Sequence, residues 1–288
     1  MIPAEFQYAA PRTVPEAVAL LQQREDAKIL SGGQSLIPLM RFRLAVPPFL
    51  VDINRIPGLD YIRQADGWLR IGALVREADL EESALVREHY PLLHDTSRSI
   101  ADPLVRNMAT VAGNLAHADP ANDHPAAMLA ARAELVATGP NGERIIPIDD
   151  FFTDIFTSAL APDEILTEVR IPVPPAPSGG AYVKLERKVG DYATAGVAVQ
   201  LSLAADGKVE QIGIGLTNVG PMALRARRSE EVLRGQMPSE ALIAQAGRFA
   251  QEDCEPTADL RGSEEYKRNV VRVLTMRALQ KALQRAAA

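Results

Sequence analysis

The sequence predicts an α+β protein made of three consecutive units, at residues 1–60, 61–175 and 176–288. Three observations support this prediction. Short apolar runs typical of strands alternate with amphipathic helical patterns through the first two units. Turn sequences of the hairpin type join some of these runs directly. The proline-rich stretch 172–180 is the clearest break in composition along the chain, and we interpret it as a stiff linker or crossover.

The first unit is predicted to be a small β–α–β–β arrangement. Thr13 has the side chain of a helix N-cap, and Pro15 would lie just inside that helix. Strands are expected at 27–30 and 49–53, where apolar runs are short. The apolar segment between them, 36–44, is compatible with a helix or with an extended wall, and its pattern does not decide between the two.

The second unit is predicted to combine hairpins with helices, and the third to consist of strands followed by helices. The hairpins turn at Ala65-Asp66-Gly67 and at Pro140-Asn141-Gly142, and a further strand is expected at 165–171. Helices of the second unit are expected at 75–80, 85–93 and 125–133. In the third unit, strands are expected at 182–187, 195–204 and 208–217, and helices at 229–233, 240–250 and 264–285.

Composition and charge exclude several classes of protein. Hydrophobic residues make up 47% of the chain, enough for a sizeable core, and the net charge of −6 disfavours nucleic acid or an anionic membrane as a partner. No apolar run approaches the ~20 residues that span a bilayer, and no secretory signal is visible, so we expect a cytoplasmic protein. The single cysteine, Cys254, excludes an internal disulfide and a four-cysteine iron–sulfur cluster held by this chain.

Two stretches rich in glycine and small polar residues are the candidates for a binding site. We define the first loop as residues 31–36, Ser-Gly-Gly-Gln-Ser-Leu, and the second loop as residues 106–114, Arg-Asn-Met-Ala-Thr-Val-Ala-Gly-Asn. Adjacent glycines allow a tight turn with positive φ, and the backbone N–H groups of such a turn can converge on an anion. Neither loop has the spacing of a P-loop or of a Rossmann fingerprint, so on chemistry alone a plain turn is the commoner explanation.

The two loops, together with other segments in the same order along the chain, resemble the flavoprotein (medium) subunit of the molybdenum hydroxylases, the group that contains carbon monoxide dehydrogenase and xanthine dehydrogenase. The matching segments are 6–11, 32–36, 51–54, 71–73, 100–125, 151–152, 163–166 and 184–195. The resemblance implies a two-part FAD-binding domain of the vanillyl-alcohol-oxidase/PCMH type, with a small parallel βαβ unit and a larger antiparallel-sheet unit. It also implies a C-terminal domain with a three-stranded antiparallel sheet and helices.

By this resemblance, the two loops bind the pyrophosphate of FAD. The residues implied are Ser31, Gly32, Gly33, Gln34, Ser35, Leu36, Thr110, Ala112, Gly113 and Asn114. The chain departs from the family pattern at Ala112, where the family usually has glycine, so an added methyl group stands where the backbone is implied to approach a phosphate. From the residues alone, Thr110 and Asn114 can equally cap the local backbone. Direct pairing of Arg106 with the diphosphate is less favoured than backbone contacts, and Asn107 is expected to brace the loop.

Four more residues are implied to contact FAD, namely Asp123, Leu166, Lys184 and Tyr192. Asp123 would accept bonds from ribityl or adenosine hydroxyls, although a lone Asp before a helix is more often an N-cap. Lys184 would reach the pyrimidine end of the isoalloxazine, where a cation raises the reduction potential; the alternative is an outward-facing edge lysine. Leu166 would pack beside the ring. Tyr192 would lie over its face or would simply be a hinge-loop aromatic.

The function implied by the resemblance is that of an FAD-binding electron-transfer subunit. Its partners would be a small [2Fe–2S] subunit and a large molybdopterin subunit, in a heterotrimer that we expect to dimerise, and an external acceptor would take electrons from FAD. No catalytic acid–base residue and no metal site is predicted in this chain. Two other hypotheses stay open: a stand-alone FAD-dependent oxidoreductase of the same architecture, and an interaction module with a degenerate nucleotide site. The sequence identifies neither the substrate nor the acceptor.

Overall fold

The computed structural model describes residues 2–288, and its first unit is a three-stranded parallel sheet with flanking helices. The strands are β1 (Gln7–Ala9), β2 (Lys28–Leu30) and β3 (Phe49–Asp52), and the helices are α1 (Val14–Gln23) and α2 (Leu36–Arg41). The strand order is β1-β3-β2, and both pairings are parallel. Thr13 caps α1 by accepting a hydrogen bond from the backbone N–H of Glu16 at 3.3 Å, which confirms the predicted start of this helix.

The second unit is organised around a five-stranded antiparallel sheet. Its strands are β4 (Ile62–Ala65), β5 (Trp68–Gly72), β6 (Glu134–Gly139), β7 (Gly142–Pro147) and β10 (Ile165–Pro172). They lie in the order β4-β5-β10-β6-β7, so that both predicted hairpins, β4–β5 and β6–β7, are confirmed. Two short strands, β8 (Phe152–Asp154) and β9 (Thr157–Ser158), form a separate two-stranded sheet.

The helices of the second unit lie mostly between β5 and β6. They are α3 (Glu77–Glu82), α4 (Ala84–His89), α5 (Pro91–Ser99), α6 (Pro103–Arg106), α7 (Val111–His117) and α8 (Asp123–Ala131). The prediction of one helix over 85–93 is wrong: Pro91 has no backbone N–H with which to continue α4, so the chain begins a new helix after Tyr90. The second loop also differs from expectation, because α6 ends at its first residue and α7 begins at Val111.

The third unit is a four-stranded antiparallel sheet covered by helices. It contains β11 (Ser178–Leu185), β12 (Ala195–Leu203), β13 (Val209–Thr217), β14 (Leu224–Arg225), α9 (Arg227–Leu233), α10 (Glu240–Asp253) and α11 (Glu264–Ala286). The predicted three-stranded sheet thus gains β14, a two-residue strand too short to show a periodic pattern. Within residues 2–288, even α11 falls short of the combined length and apolar character that a membrane-crossing helix needs.

The stiff linker or crossover predicted at 172–180 is shorter in the structure, because only residues 173–177 lie between β10 and β11. Pro172 is the last residue of β10, a position where its missing N–H removes no central ladder bond. Ser178 already begins β11. A Cβ atom on Gly179 would overlap the backbone of Ala282 in α11, so this glycine serves close packing rather than flexibility.

The third unit packs on the second through α8 and α11. α8 lies directly against β13, where a Cβ atom on Gly213 or Gly215 would overlap the carbonyl oxygens of Ala130 and Ala126. Tyr182 and Ala198 of the third unit belong to the apolar core that fills the first two units. A second apolar core lies between the four-stranded sheet and its own helices. The apolar core that includes Tyr182 and Ala198 therefore links all three units.

Candidate cofactor site

The first and second loops are far apart in sequence but touch in the folded chain. The hydroxyls of Ser31 and Thr110 are 3.1 Å apart. A Cβ atom on Gly32 would lie 2.8 Å from Cα of Ala109 and 2.9 Å from the backbone nitrogen of Thr110, closer than real Cβ contacts come. Glycine at this position is therefore what allows the two backbones to meet. The structure thus brings together the two stretches that the sequence analysis paired.

The first loop presents unused backbone donors. Gly33 has φ +73°, a conformation that favours glycine. Gln34 donates through Nε2 to the carbonyl of Gly32 at 3.2 Å, and Ser35 precedes α2 without a side-chain capping bond. Among residues 2–288, no acceptor is bonded to the backbone N–H groups of Gly32, Gly33, Gln34 or Ser35. Successive free N–H groups of this kind form an anion-binding concavity.

The second loop is capped and braced, as its alternative interpretation proposed. Thr110 is the N-cap of α7, and its hydroxyl accepts from the N–H of Gly113 at 3.2 Å. Ala112, the departure from the family pattern, has its side chain buried in the apolar core, so the extra methyl group is accommodated there. The side-chain oxygen of Asn114 is buried and has no hydrogen-bond partner within residues 2–288. A buried polar atom without a partner marks a place where a bound group can satisfy it.

Arg106 is committed to protein partners rather than to a phosphate. Its Nε donates to Glu81 at 2.8 Å, and Nη1 donates to the carbonyl of Ile100 at 3.0 Å. These contacts do not support direct pairing of Arg106 with a diphosphate, the option that the sequence analysis favoured less. Asn107 caps the end of α6, where its N–H donates to the carbonyl of Pro103.

Two residues that the sequence analysis did not assign tie the loops together. Asn54, just after β3, donates through Nδ2 to the carbonyl of Ser31 at 2.9 Å. Arg76 donates through Nη2 to Oδ1 of Asn54 at 2.6 Å and through Nη1 to the carbonyl of Met108 in the second loop. Burial lowers the pKa of Arg76 from its ordinary value, while nearby carboxylates oppose this effect. Asn54 lies within a segment that resembles the family, but nothing in the sequence pattern shows that it meets Arg76.

Asp123 and Lys184 form a buried ion pair. The structure contradicts the two alternative interpretations, a helix N-cap for Asp123 and an outward-facing lysine for Lys184. Asp123 is the first residue of α8, whose N-cap is Asn122, so Asp123 is not the cap. Lys184 Nζ lies 3.0 Å from Asp123 Oδ2 and donates to the carbonyl of Ser99 at 2.7 Å. Only 4% of the Lys184 side chain is exposed, so it is not an outward-facing lysine. The Tyr182 hydroxyl, which the sequence analysis missed, donates to the other carboxylate oxygen of Asp123.

Burial is the largest influence on the pKa values of Asp123 and Tyr182. It raises the pKa of Asp123 above its ordinary value, and the positive charge of Lys184 opposes that rise. Burial, with the neighbouring Asp123 carboxylate, also raises the pKa of Tyr182 well above its ordinary value. Tyr182 therefore remains a hydroxyl group that donates to Asp123. The Lys184 ammonium and the Asp123 carboxylate lie side by side.

Leu166 and Tyr192 occupy different surroundings. Leu166 is buried in β10, opposite Ala137 of β6. Tyr192 lies between β11 and β12 with 46% of its surface exposed, and the Arg261 guanidinium is 5.8 Å from its ring centroid. The preceding Asp191 accepts from Arg261 at 2.8 Å, and this bond lowers the pKa of Asp191 to about 2. The aromatic ring of Tyr192 is thus accessible while its backbone is held in place.

The residues present fit FAD. The free N–H groups of the first loop suit a diphosphate, and the partnerless oxygen of Asn114 lies in the loop that meets it. Asp123 retains acceptor capacity for hydroxyl groups, and Lys184 supplies a buried cation. Taken together, these groups offer backbone donors for phosphate, acceptors for hydroxyl groups and a cation for the ring in one region of the fold.

Comparison with known proteins identifies the family. The FAD binding domain in molybdopterin dehydrogenase matches residues 4–174, and the CO dehydrogenase flavoprotein C-terminal domain matches residues 180–282. The chain is 44% identical to the carbon monoxide dehydrogenase medium chain of Hydrogenophaga pseudoflava over 288 residues, which cover 100% of both chains. It is 39% identical over 287 residues to the 6-hydroxypseudooxynicotine dehydrogenase complex subunit alpha of Paenarthrobacter nicotinovorans, covering 99% of this chain and 97% of that one.

A solved structure has the same fold. The carbon monoxide dehydrogenase from Hydrogenophaga pseudoflava that lacks the Mo-pyranopterin moiety of its molybdenum cofactor superposes with a TM-score of 0.96 at 46% identity, over 99% of both chains. The sequence match and the structural match agree along nearly the full length. This chain therefore belongs to the family of FAD-binding medium subunits of the molybdenum-containing dehydrogenases, and its cofactor is FAD.

Proposed function

We propose that this chain is the electron-transfer flavoprotein of a multi-subunit molybdenum-containing dehydrogenase. In this role it takes electrons from [2Fe–2S] clusters on a small partner subunit, while a large molybdopterin subunit oxidises the substrate, and it passes them to an external acceptor. The observation that carries the proposal is the contact between the two loops, at the 3.1 Å approach of Ser31 to Thr110. This contact creates a single site for one diphosphate from segments that are 79 residues apart.

The residues of the chain would bind and orient the cofactor. FAD supplies reversible transfer of one or two electrons when it is bound. We assign the diphosphate to the first loop, from Ser31 to Leu36, and to the start of α7, with Thr110, Ala112, Gly113 and Asn114. We assign the hydroxyls of FAD to Asp123. Its carboxylate accepts more than one hydrogen bond, and two of these already fix its position.

Tuning of the flavin is assigned to residues around its ring. The Lys184 cation would stabilise negative charge on the reduced ring and raise its potential, since a buried charge acts through a low dielectric. Leu166 would pack beside the ring, and the accessible Tyr192 would cover one face and limit contact with oxidants. None of these roles needs a proton-transfer pair, so the chain would act as a carrier.

The partners follow from the chemistry that this chain cannot supply. Its one cysteine, Cys254, is buried, and the usual iron–sulfur cluster needs four thiolates. The clusters would therefore lie on another polypeptide. We propose that this chain and its two partners form a heterotrimer that dimerises in the cytoplasm. Within this chain, we propose two FAD-binding subdomains at residues 1–60 and 61–175 and a C-terminal domain at 176–288. A free buried thiol agrees with a reducing compartment.

The first experiment tests the loop assignment with a matched pair of variants. Gly33 (φ +73°) and Gly58 (φ +77°) have similar positive φ angles, but a Cβ on Gly33 would lie 2.7 Å from Ile37 Cδ1, whereas one on Gly58 would meet nothing within 4 Å. Gly33→Val should abolish retention of FAD, and Gly58→Val should keep the yellow colour, although both bear similar backbone strain. Absorbance of the purified full chain at flavin wavelengths measures the outcome. Yellow Gly33→Val protein would contradict the assignment.

The stand-alone alternative is tested by composition. Purification from the native source should yield two further subunits with molybdenum, iron and FAD in one complex. Turnover of an organic substrate by the isolated FAD-bound chain would instead support a stand-alone oxidoreductase.

A further inference from the structure

A fully buried pair, Glu77 and His124, lies between the second loop and α8, outside the contacts described above. Glu77 Oε2 and His124 Nε2 are 2.7 Å apart, and neither side chain is exposed to solvent. The remaining polar atoms, Glu77 Oε1 and His124 Nδ1, are buried without a hydrogen-bond partner among residues 2–288. Such atoms cost stability, and apolar side chains of similar size would fill the space at lower cost. The pair therefore needs a role other than stability.

On one side, Glu77 is attached to the second loop. Its backbone N–H donates to the carbonyl of Ala109 at 2.9 Å. The preceding residue, Arg76, pairs with Thr110 in an isolated antiparallel bridge. The start of α3 is thus joined to the loop backbone immediately before the N-cap of α7, where the diphosphate is assigned.

On the other side, His124 is attached to the Asp123–Lys184 pair. His124 directly follows Asp123 in the first turn of α8, so the same helical turn carries both residues. Glu77 and His124 are 47 residues apart in sequence, and the hydrogen bond between them connects the second loop with the Asp123–Lys184 pair. A rigid connection of this kind holds separate parts of a binding site at a fixed spacing.

We propose that the Glu77–His124 hydrogen bond positions the two halves of the FAD site, the second loop and the Asp123–Lys184 pair, and thereby sets the affinity for FAD. The inference rests on the function proposed above. Both residues are positioning residues, because they are wholly buried and act through Ala109 and Asp123 rather than by touching the cofactor. Loss of the bond would let the two halves drift apart without unfolding the chain.

The test compares two variants of the full chain. Glu77→Gln keeps an oxygen that accepts the bond from His124, whereas Glu77→Leu combined with His124→Leu replaces both polar side chains. We expect Glu77→Gln to bind FAD within about threefold of the natural chain and the double variant to bind it about tenfold more weakly, as for one lost hydrogen bond. Titration of the apoprotein with FAD, monitored through fluorescence quenching, gives the dissociation constant. The midpoint potential of the bound flavin should also shift in the double variant, because Lys184 moves relative to the ring.

The outcomes separate a positioning role from a merely structural one. A folded double variant with natural FAD affinity and an unchanged potential would overturn the inference. Equal loss of FAD by Glu77→Gln and by the double variant would overturn it too, since the bond geometry would then not matter. The control is Thr275→Val, which removes a buried hydroxyl that donates to the carbonyl of Val271 in α11. This variant measures the general effect of losing a buried hydrogen bond, and it should leave the FAD affinity and the midpoint potential unchanged.

If the double variant does not fold, hydrogen exchange of the natural chain decides. The Glu77 amide, bonded to the second loop, should become more protected when FAD binds, and unchanged exchange at Glu77 would contradict the inference. Failure of the natural chain to bind any FAD would instead contradict the proposed function, so the two failures are distinguishable.

Discussion

Lys184 carries a positive charge into a place where only 4% of its side chain is exposed. Its ammonium is surrounded by the Ser99 carbonyl, the Asp123 carboxylate and the Glu186 carboxylate at 2.7, 3.0 and 3.4 Å. The Ser99 carbonyl and the Asp123 carboxylate accept hydrogen bonds from the ammonium, and the Glu186 carboxylate adds a nearby opposite charge, so the burial cost is offset within the chain. The cation is thus held in position before any cofactor arrives, which is the arrangement that electrostatic tuning requires.

Replacement of this cation tests the coupling between the charges. Lys184→Met should lower the free energy of unfolding by about 3–5 kcal/mol, because Asp123 stays buried without a counter-ion. The pKa of Asp123 should rise further, since the charge that opposes burial is gone. A group whose pKa is raised by folding stabilises the protein at low pH, so the deficit should shrink as the pH falls. Urea unfolding across this pH range measures the effect.

The control for this prediction is an exposed lysine. Lys208 pairs with Asp206 at 2.8 Å, but 49% of its side chain is exposed. Lys208→Met should change the free energy of unfolding little, because an exposed ion pair contributes little to stability. Equal losses from the two lysines would show that burial of Lys184 is not what matters.

Among the elements, the segment between β11 and β12 is held by charge rather than by regular structure. Asp191 accepts from Arg261 at 2.8 Å and from Arg187 at 3.2 Å. Its neighbour Tyr192 is half-exposed, and Val189 is 94% exposed. A segment with few apolar contacts opens locally more easily than the strands beside it. These ion pairs therefore add to the hydrogen bonds that hold the segment around Tyr192.

The pKa of Asp191 gives this anchor a defined pH dependence. The bond with Arg261 lowers that pKa from 3.8 to about 2 in the folded chain, so the carboxylate contributes stability above 3.8 and loses it as the pH falls towards about 2. Asp191→Asn should lower the thermal midpoint at neutral pH, and the difference from the natural chain should shrink across that acid window. Asp26→Asn, at an exposed turn position, is the control and should change little at any pH. A difference that does not depend on pH would count against the anchor.

The sequence predicts elements better than their meeting points. Thr13, with its N-cap side chain, and the two hairpin turns are local signals, and the structure has α1, β4–β5 and β6–β7 where they indicate. The split at Tyr90 was missed because an apolar pattern continues across it. Contacts such as Arg76 with Asn54, or Glu77 with His124, join distant residues through tertiary packing, and no local pattern encodes them. The individual FAD-contact assignments came from family resemblance and stay predictions.

In the whole molecule, the C-terminal unit is fastened to the cofactor domain by a small ionic cluster. Asp95 of α5 accepts from Lys281 at 2.8 Å and from Arg285 at 2.7 and 3.0 Å, both on α11. Burial would raise the pKa of Asp95, but the bonds with Arg285 and Lys281 prevail and lower it. The cluster supports β11, which carries Lys184, because Arg285 also donates to the carbonyl of Gly180.

Removal of this cluster tests whether the two units unfold together. Asp95→Ala leaves two cations facing each other, and we expect a loss of about 1–3 kcal/mol, moderated by the partial exposure of both cations. Differential scanning calorimetry should show one transition in the natural chain and a broadened or split one in the variant. Asp206→Ala, at an exposed turn, should change stability little and keep a single transition. A single sharp transition in Asp95→Ala would mean that apolar packing alone couples the units.

The seating of α8 on β13 restricts how chains of this family can be recombined. A side chain at Gly213 or Gly215 would overlap the backbone of α8. A parent protein that supplies β13 must therefore have glycine at both positions if it is to pack against α8 of another parent. Asp123 begins that helix, and Lys184 lies two strands away in the same sheet as those glycines. A chimaera cut at the proline-rich boundary takes α8 with Asp123 from one parent and the C-terminal sheet with Lys184 from the other. It should therefore be functional only when the two parents match at the charge pair and at both glycines.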